Sequence, residues 1–181
     1  YGGVIVADIL YDFTRHFSEK FNLKAETVKQ ELKSFFKYYQ DGKISEDDSL
    51  RFLAEKLGVD LSELKKEWLK ITTDEDRVIE EVVDVIKILK KKKYKIALLS
   101  NAIPYAFYDE KIKNLFDTII LSSEVGIRKP EKQIYLITLD RLQVKPEEAI
   151  FVDNHEANLA PARELGMKKI LFESHDKFLS E

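Results

Sequence analysis

Two kinds of hydrophobic spacing divide the chain near residue 75. Before that point, apolar side chains recur every three to four residues, as they do along one face of a helix. The turn-like stretch QDGK (40–43) ends one helical segment, SEDD from Ser45 offers an N-cap for the next, and GVD (58–60) separates the last two. The spacing predicts an all-helical unit over residues 8–73. We expect its apolar positions to pack as a helical core, and they are Phe13, Phe17, Phe21, Val28, Leu32, Phe35, Phe36, Tyr39, Leu61, Leu64, Trp68 and Leu69.

After residue 75, helical segments alternate with short apolar runs. The runs YKIALLS (94–100), DTIIL (117–121), AIFVD (149–153) and KKILF (168–172) are predicted to be strands, and YKIALLS has the composition of a strand that is buried on both faces. Helices are predicted over 78–89, 105–115, 131–142 and 157–165. Strands that alternate with helices form a parallel sheet connected by right-handed crossovers, so the fold class predicted for this part is α/β.

Composition and charge exclude several classes of function. The 181 residues include 30 basic and 33 acidic ones, interspersed along the chain, so we expect no nucleic-acid partner. The one strong basic run, Lys87–Lys95, is expected to be a solvated helix end. The chain has no cysteine, which excludes thiol catalysis, disulfides and cysteine-ligated metals. No apolar stretch approaches transmembrane length and no signal peptide is visible, so we expect a cytoplasmic protein with no membrane partner.

Polar side chains follow three of the predicted strands and loops. Ser100 and Asn101 come directly after one strand, Lys129 lies in the loop sequence GIRKPEKQIY, and Asp153 and Asn154 end another strand. In open parallel sheets, sites form at the carboxyl ends of the strands. We therefore expect a hydroxyl, an ammonium group and a carboxylate to meet at one edge of the sheet.

These groups suit a phosphate ligand. Ser100 and the adjacent backbone N–H can bind a phosphoryl oxygen, and Lys129 can neutralise charge on the phosphate and on an attacking carboxylate. Asp153 is a hard oxygen ligand of the kind that Mg²⁺ prefers. Taken singly, a serine such as Ser100 after a strand is usually a turn residue or helix cap, RKP could be a helix-starting turn and Asn154 could be an N-cap. The order and placement of the set favour phosphoryl transfer, although it contains no nucleophile.

The residues that follow Asp153 are expected to open a helix. His155 could be a metal ligand, but a position after a strand end favours a helix cap, with Glu156 in the first turn. Asn158, one helical turn beyond Asn154, could orient the loop. His16 and His175 have no nearby constellation in the sequence.

At these residues the sequence resembles the haloacid dehalogenase-like hydrolase superfamily, in the branch with a helical cap inserted after the first motif. LLSNA resembles the second motif of that family, GIRKPEKQIY the third and FVDNHEANLAPARELGM the fourth. The resemblance implies a Rossmann-like core from residues 1–7 and 74–181, and a helical cap over 8–73 that selects the substrate. It implies Ser100 and Lys129 as catalytic residues, Ser100, Asn101 and Lys129 as phosphate-binding residues, and Mg²⁺ as cofactor.

The first motif of the family is only partly present. Aligned on it, Tyr1 is the intervening residue and Gly2 stands where a second aspartate, the general acid and base, is usual. The resemblance implies that the nucleophilic aspartate lies directly before Tyr1 and forms an aspartyl-phosphate. It also implies that the metal is held by Asp153 and the backbone carbonyl of Gly2, with Asn154 nearby where a second acidic residue is common.

Three functions follow from these residues. The first is a magnesium-dependent phosphatase of a small phosphorylated metabolite. The second is a 2-haloacid dehalogenase, which uses the same kind of nucleophile without a metal and leaves Asp153 with little purpose. The third is a non-catalytic binding protein of the same fold, which gains weight if the chain truly starts at Tyr1. Asp153 favours the phosphatase.

Overall fold

The structure is a computed structural model, and the α/β and helical parts predicted from the sequence are both present in it. It describes residues 2–5, 9–39, 44–73, 78–101 and 110–178. The predicted turn 40–43, the start of the predicted helix 105–115 and the junctions 6–8 and 74–77 lie outside these ranges. The domain boundaries therefore stay a prediction.

Within the described residues, four helices form the first part of the chain, which we call the helical unit. They are α1 (Ile9–Phe21), α2 (Ala25–Tyr39), α3 (Glu46–Leu57) and α4 (Leu61–Thr72). The cap expected at Ser45 is confirmed, since its hydroxyl accepts from the backbone N–H of Asp48 at 3.1 Å. The Asp60 carboxylate accepts from the backbone N–H of Glu63 at 2.9 Å and caps α4 in the same way. Gly58 ends α3 in the left-handed conformation, with φ 67°, which glycine adopts without a steric penalty.

The core of the helical unit is aromatic, as predicted. Phe13 stacks on Trp68 with ring centres 4.2 Å apart, and Phe35 meets the same indole edge-on at 5.0 Å. The indole N–H donates to Glu46 at 3.1 Å, which satisfies its polar atom. The side chain of Tyr39 lies outside what the structure describes. Among the other predicted core positions one is wrong: Leu69 is 55% exposed, because α4 turns Leu64, Trp68 and Ile71 towards the core instead.

The rest of the described chain, which we call the α/β unit, alternates strands and helices. Its strands are β1 (Ala97–Ser100), β2 (Thr118–Leu121), β3 (Ile150–Asp153) and β4 (Lys168–Leu171). Its helices are α5 (Glu80–Lys91), α6 (Glu110–Lys113), α7 (Ser122–Val125), α8 (Lys132–Leu142), α9 (Glu156–Glu164) and α10 (His175–Phe178), with a short 3₁₀ turn at Pro146–Glu148. The predicted helix 78–89 begins two residues later than expected, since Val78 forms a bridge and Ile79 is extended.

The described strands form two parallel pairs. In one, Ala97 lies opposite Thr118 and Ser100 opposite Leu121; in the other, Ile150 lies opposite Lys168 and Asp153 opposite Leu171. Parallel register places the last residue of each strand in a pair at the same end. Ile5 is buried in the same core as α5 and β1, and its carbonyl accepts from the N–H of Ile79 at 2.8 Å. Within the described ranges, no helix has the length and apolar character that crossing a membrane requires.

Candidate active site

The ammonium group of Lys129 joins the two strand pairs. Lys129 lies in the loop between α7 and α8, and its Nζ donates to the backbone carbonyl of Leu99 in β1 at 3.1 Å. The same atom donates to Oδ2 of Asp153, the last residue of β3, at 2.6 Å. Only 7% of the Lys129 side chain is exposed, and Nζ lies 5.6 Å from the ring centre of Phe151. A buried cation is thus fixed between the carboxyl ends of β1 and β3.

The carboxylate of Asp153 is held from two further directions. Its Oδ1 accepts from the backbone N–H of His155 at 2.8 Å and from Nδ2 of Asn158 at 3.0 Å. Burial alone would raise the pKa of Asp153, but the charge and hydrogen bond of Lys129, together with the Asn158 and His155 donors, hold this pKa below its ordinary value. Asp153 therefore carries its negative charge at neutral pH.

The fourth predicted motif is organised around that carboxylate. His155 occupies the N-cap position of α9, and its backbone N–H binds Asp153, as the helix-opening interpretation expects. Asn158 orients the loop as expected, since its side-chain amide reaches back to Asp153. A first-turn helix position can contact a strand end in this way because the helix folds directly back over the strand that precedes it.

Ser100 and Asn101 end β1 with different surroundings. The Ser100 side chain is 95% buried at the carboxyl end of the strand, and its hydroxyl has no hydrogen-bond partner among the described residues. The side-chain amide of Asn101 binds the backbone of Lys129 on both sides: Nδ2 donates to its carbonyl at 2.9 Å, and Oδ1 accepts from its N–H at 2.8 Å. The role of each in binding phosphate stays a prediction.

The N-terminal glycines lie against the end of β3. A Cβ atom on Gly3 would sit 2.3 Å from Nδ2 of Asn154, and Gly3 has a φ of +76°, so both the space and the backbone favour glycine. Gly2 directly precedes this contact. The structure thus brings Gly3 against Asn154, the residue after Asp153, while the roles of Gly2, Asp153 and Asn154 towards a metal stay predictions.

Sequence reasoning missed two supports of this site, Tyr135 and the carbonyl of Leu99. The hydroxyl of Tyr135, in α8, donates to the backbone carbonyl of Asn158 at 2.7 Å. Burial, with a smaller contribution from the charge of Asp153, raises the pKa of Tyr135 well above its ordinary value, so the hydroxyl stays protonated. The signal in the sequence was a tyrosine on the apolar face of a helix, where its hydroxyl needs a partner.

Among the described residues, no three histidine, aspartate or glutamate side chains come together as a metal-binding group. Of the carboxylates in the described part of the chain, Asp153 is the one at the end of β3, and backbone oxygen and water would be the further ligands of a cation there. That donor set fits Mg²⁺, which keeps several waters and takes only one or two carboxylates.

Known proteins resemble both the sequence and the fold. Bifunctional epoxide hydrolase 2 of Rattus norvegicus is 52% identical over 56 residues, which are 31% of this chain and 10% of that protein. A D-ribitol-5-phosphate phosphatase of Bacteroides thetaiotaomicron is 29% identical over 146 residues, covering 74% of this chain and 68% of the relative. The chain therefore spans about a tenth of the mammalian epoxide hydrolase that it matches.

A solved structure shares the fold over nearly the whole length. It is a haloacid dehalogenase family enzyme from Bacteroides thetaiotaomicron in complex with magnesium, with a TM-score of 0.73 and 20% identity, covering 99% of this chain and 95% of that one. The family model for haloacid dehalogenase-like hydrolases matches residues 3–166, which include every site residue described above except Gly2. The chain is therefore a member of the haloacid dehalogenase-like hydrolases.

Proposed function

We propose that the protein is a magnesium-dependent phosphatase of small phosphorylated metabolites. One observation carries the proposal: Lys129 and Asp153 form a buried pair at 2.6 Å, and Lys129 also contacts Leu99 and Asn101, the residues on either side of the buried Ser100. Such a pair is costly to bury, and replacing it with apolar side chains is often neutral or stabilising. Its presence at a sheet edge supports a chemical role. The phosphatases among the relatives support the substrate class.

The proposed reaction proceeds in two steps. The resemblance assigns the nucleophile to an aspartate directly before Tyr1, whose carboxylate oxygen bonds to phosphorus as the phosphate ester bond breaks. The leaving alkoxide takes a proton from water, because Gly2 has no acidic side chain to supply one. A second water then cleaves the aspartyl-phosphate and releases inorganic phosphate.

Each site residue of this chain has a proposed role in that reaction. Lys129 neutralises charge that builds on the phosphoryl oxygens and the attacking carboxylate, and the Ser100 hydroxyl donates to one of those oxygens. Asp153 and the Gly2 carbonyl are the proposed Mg²⁺ ligands, with Asn154 beside them. When bound, the metal supplies positive charge that stabilises the transferring phosphoryl group. The helical unit is the proposed cap that selects the substrate.

The test is a chelator and magnesium titration of the full chain with p-nitrophenyl phosphate, followed by a panel of sugar phosphates. We expect phosphate release that chelator abolishes and Mg²⁺ restores. Asp153→Ala should remove it, whereas Asp140→Ala, an exposed aspartate on α8, should not.

Two outcomes would contradict the proposal. Chloride release from a 2-haloacid in the presence of chelator would identify a dehalogenase instead. Absence of both activities in a chain that begins with the preceding aspartate would identify a binding protein of this fold.

A further inference from the structure

The side chain of Asn101 holds the backbone of Lys129 from both sides. Its Nδ2 donates to the Lys129 carbonyl at 2.9 Å, and its Oδ1 accepts from the Lys129 N–H at 2.8 Å. The two residues are 28 positions apart in the chain, so this is a tertiary contact between the end of β1 and the loop before α8. One planar amide thus satisfies both polar groups of a single backbone residue, which fixes its position and its orientation together.

This contact sets where the ammonium group of Lys129 can reach. Lysine has a flexible four-carbon stem, and its ammonium is a point charge without directional preference of its own. In the structure that stem extends from the anchored backbone to Leu99 and to Asp153, at 3.1 Å and 2.6 Å. Because Asn101 and Leu99 belong to the same strand end, β1 holds both ends of the lysine. Displacement of the backbone by 1 Å would move the charge from its site.

We propose that Asn101 is a positioning residue, which acts on the reaction through Lys129 by anchoring its backbone. This inference rests on the proposed function only where it states that Asn101 affects turnover. The anchoring itself is a property of the fold. It also differs from a direct role as a phosphate ligand, since it uses the carbonyl oxygen and an amide hydrogen of Asn101 for Lys129.

The first experiment measures the anchor without any substrate. Amide hydrogen exchange at Lys129 would be followed by NMR in the full chain and in Asn101→Ala, Asn101→Asp and Asn114→Ala. The aspartate variant keeps an acceptor for the Lys129 N–H, and Asn114 is an exposed asparagine after α6 that serves as the matched control. We expect exchange at Lys129 to rise about fivefold in Asn101→Ala, the factor that corresponds to the net free energy of one hydrogen bond. It should stay near the wild-type rate in Asn101→Asp and Asn114→Ala. Unchanged exchange in Asn101→Ala would overturn the proposal.

The second experiment separates positioning from direct binding. Inorganic phosphate, with Mg²⁺ present, would be titrated into wild type, Asn101→Ala, Lys129→Met and the double variant. If Asn101 acts through Lys129, its replacement weakens phosphate binding by about tenfold in wild type and by almost nothing once Lys129 is gone. Equal losses in both backgrounds would make Asn101 a direct phosphate ligand and overturn the proposal.

The two experiments also distinguish this inference from the proposed function. Faster exchange at Lys129 in Asn101→Ala would support the anchoring contact even if the wild-type protein bound no phosphate. That lack of phosphate binding would contradict the proposed phosphatase function. Thermal unfolding of every variant checks that the fold persists. The exchange measurement needs no Lys129 variant, so it stands even if Lys129→Met does not fold.

Discussion

Both units of the molecule bury a carboxylate beside a cation, but the two cations differ in their surroundings. Glu67 in the helical unit is 3% exposed and contacts Lys70 at 2.8 Å and His16 at 2.7 Å. Those partners are 56% and 36% exposed, so their polar ends remain in water. Asp153 in the α/β unit contacts Lys129, which is itself only 7% exposed.

The exposure of the cation distinguishes an ion pair that stabilises the fold from one that we propose takes part in the reaction. Burying a carboxylate costs little free energy when its partners stay hydrated. The short hydrogen bonds to Lys70 and His16 hold the pKa of Glu67 down to about 2. Burying both partners costs several kcal/mol per ion and gives little net stability in return. We infer that the Glu67 cluster stabilises the helical unit and that the Lys129 pair serves the site.

The largest expected effect comes from neutralising Asp153. Asp153→Asn leaves the Lys129 ammonium buried without its counter-charge, so we expect the α/β unit to lose about 3–5 kcal/mol of unfolding free energy. Turnover of p-nitrophenyl phosphate should fall by about 10²–10³-fold. Calorimetry and steady-state kinetics measure the two losses. A variant with full turnover would contradict the chemical role of this pair.

A loss of similar size, confined to the other unit, is expected from the aromatic core. Phe13 is fully buried, and Phe13→Ala should cost the helical unit about 3–5 kcal/mol through the cavity that it leaves. Hydrogen exchange in α1–α4 measures it. Tyr11→Ala, on the same helix but 66% exposed, is the control and should change stability by less than about 0.5 kcal/mol.

Glu67→Gln repeats the chemical change of Asp153→Asn in the helical unit. It removes charge-assisted hydrogen bonds to Lys70 and His16, so we expect a stability loss of about 1–3 kcal/mol and unchanged turnover. Glu63→Gln is the matched control, because Glu63 pairs with Lys20 at an exposed position of the same helix. A drop in turnover in Glu67→Gln would contradict the inference that Glu67, unlike Asp153, only stabilises its unit.

Lowering the pH should reduce the stability difference between wild type and Glu67→Gln, over a range that the pKa of Glu67 sets. The pKa of Glu67 is about 2 in the folded protein and 4.5 for an ordinary glutamate. Because the folded value is the lower one, its contribution is complete above pH 4.5 and is lost as pH falls towards 2. Circular dichroism melts at stepped pH should show the stability gap between wild type and Glu67→Gln closing over that window. A constant gap would exclude Glu67 as the titrating group.

The smallest expected effect concerns the contact between the two units. The Arg128 guanidinium donates to the backbone carbonyl of Lys37 in α2 at 3.2 Å, directly beside Lys129 in the chain. Arg128→Ala should raise the KM of a phosphorylated substrate by less than about tenfold, with kcat nearly unchanged. Arg141→Ala, at an exposed position of α8, is the control. A large fall in kcat would show instead that Arg128 contributes to the chemical step.

Local patterns predicted the elements well and the side-chain contacts less well. The strands, the cap at Ser45 and the helix after Asp153 follow from apolar runs and capping residues, which act over a few positions. The pairing of His16 with Glu67 joins positions 51 apart in the chain, and no local pattern contains it. The Leu99 carbonyl, as a backbone group, has no signature in the sequence at all.

The stack of Trp68 on Phe13 has a spectroscopic consequence. Trp68 is the one tryptophan of the chain and lies in the core of the helical unit. Indole emission therefore reports the packing of the helical unit, whereas circular dichroism reports the helices of both units. Denaturation followed by both signals would give coincident transitions if the units unfold together, and two separate midpoints if each unfolds on its own.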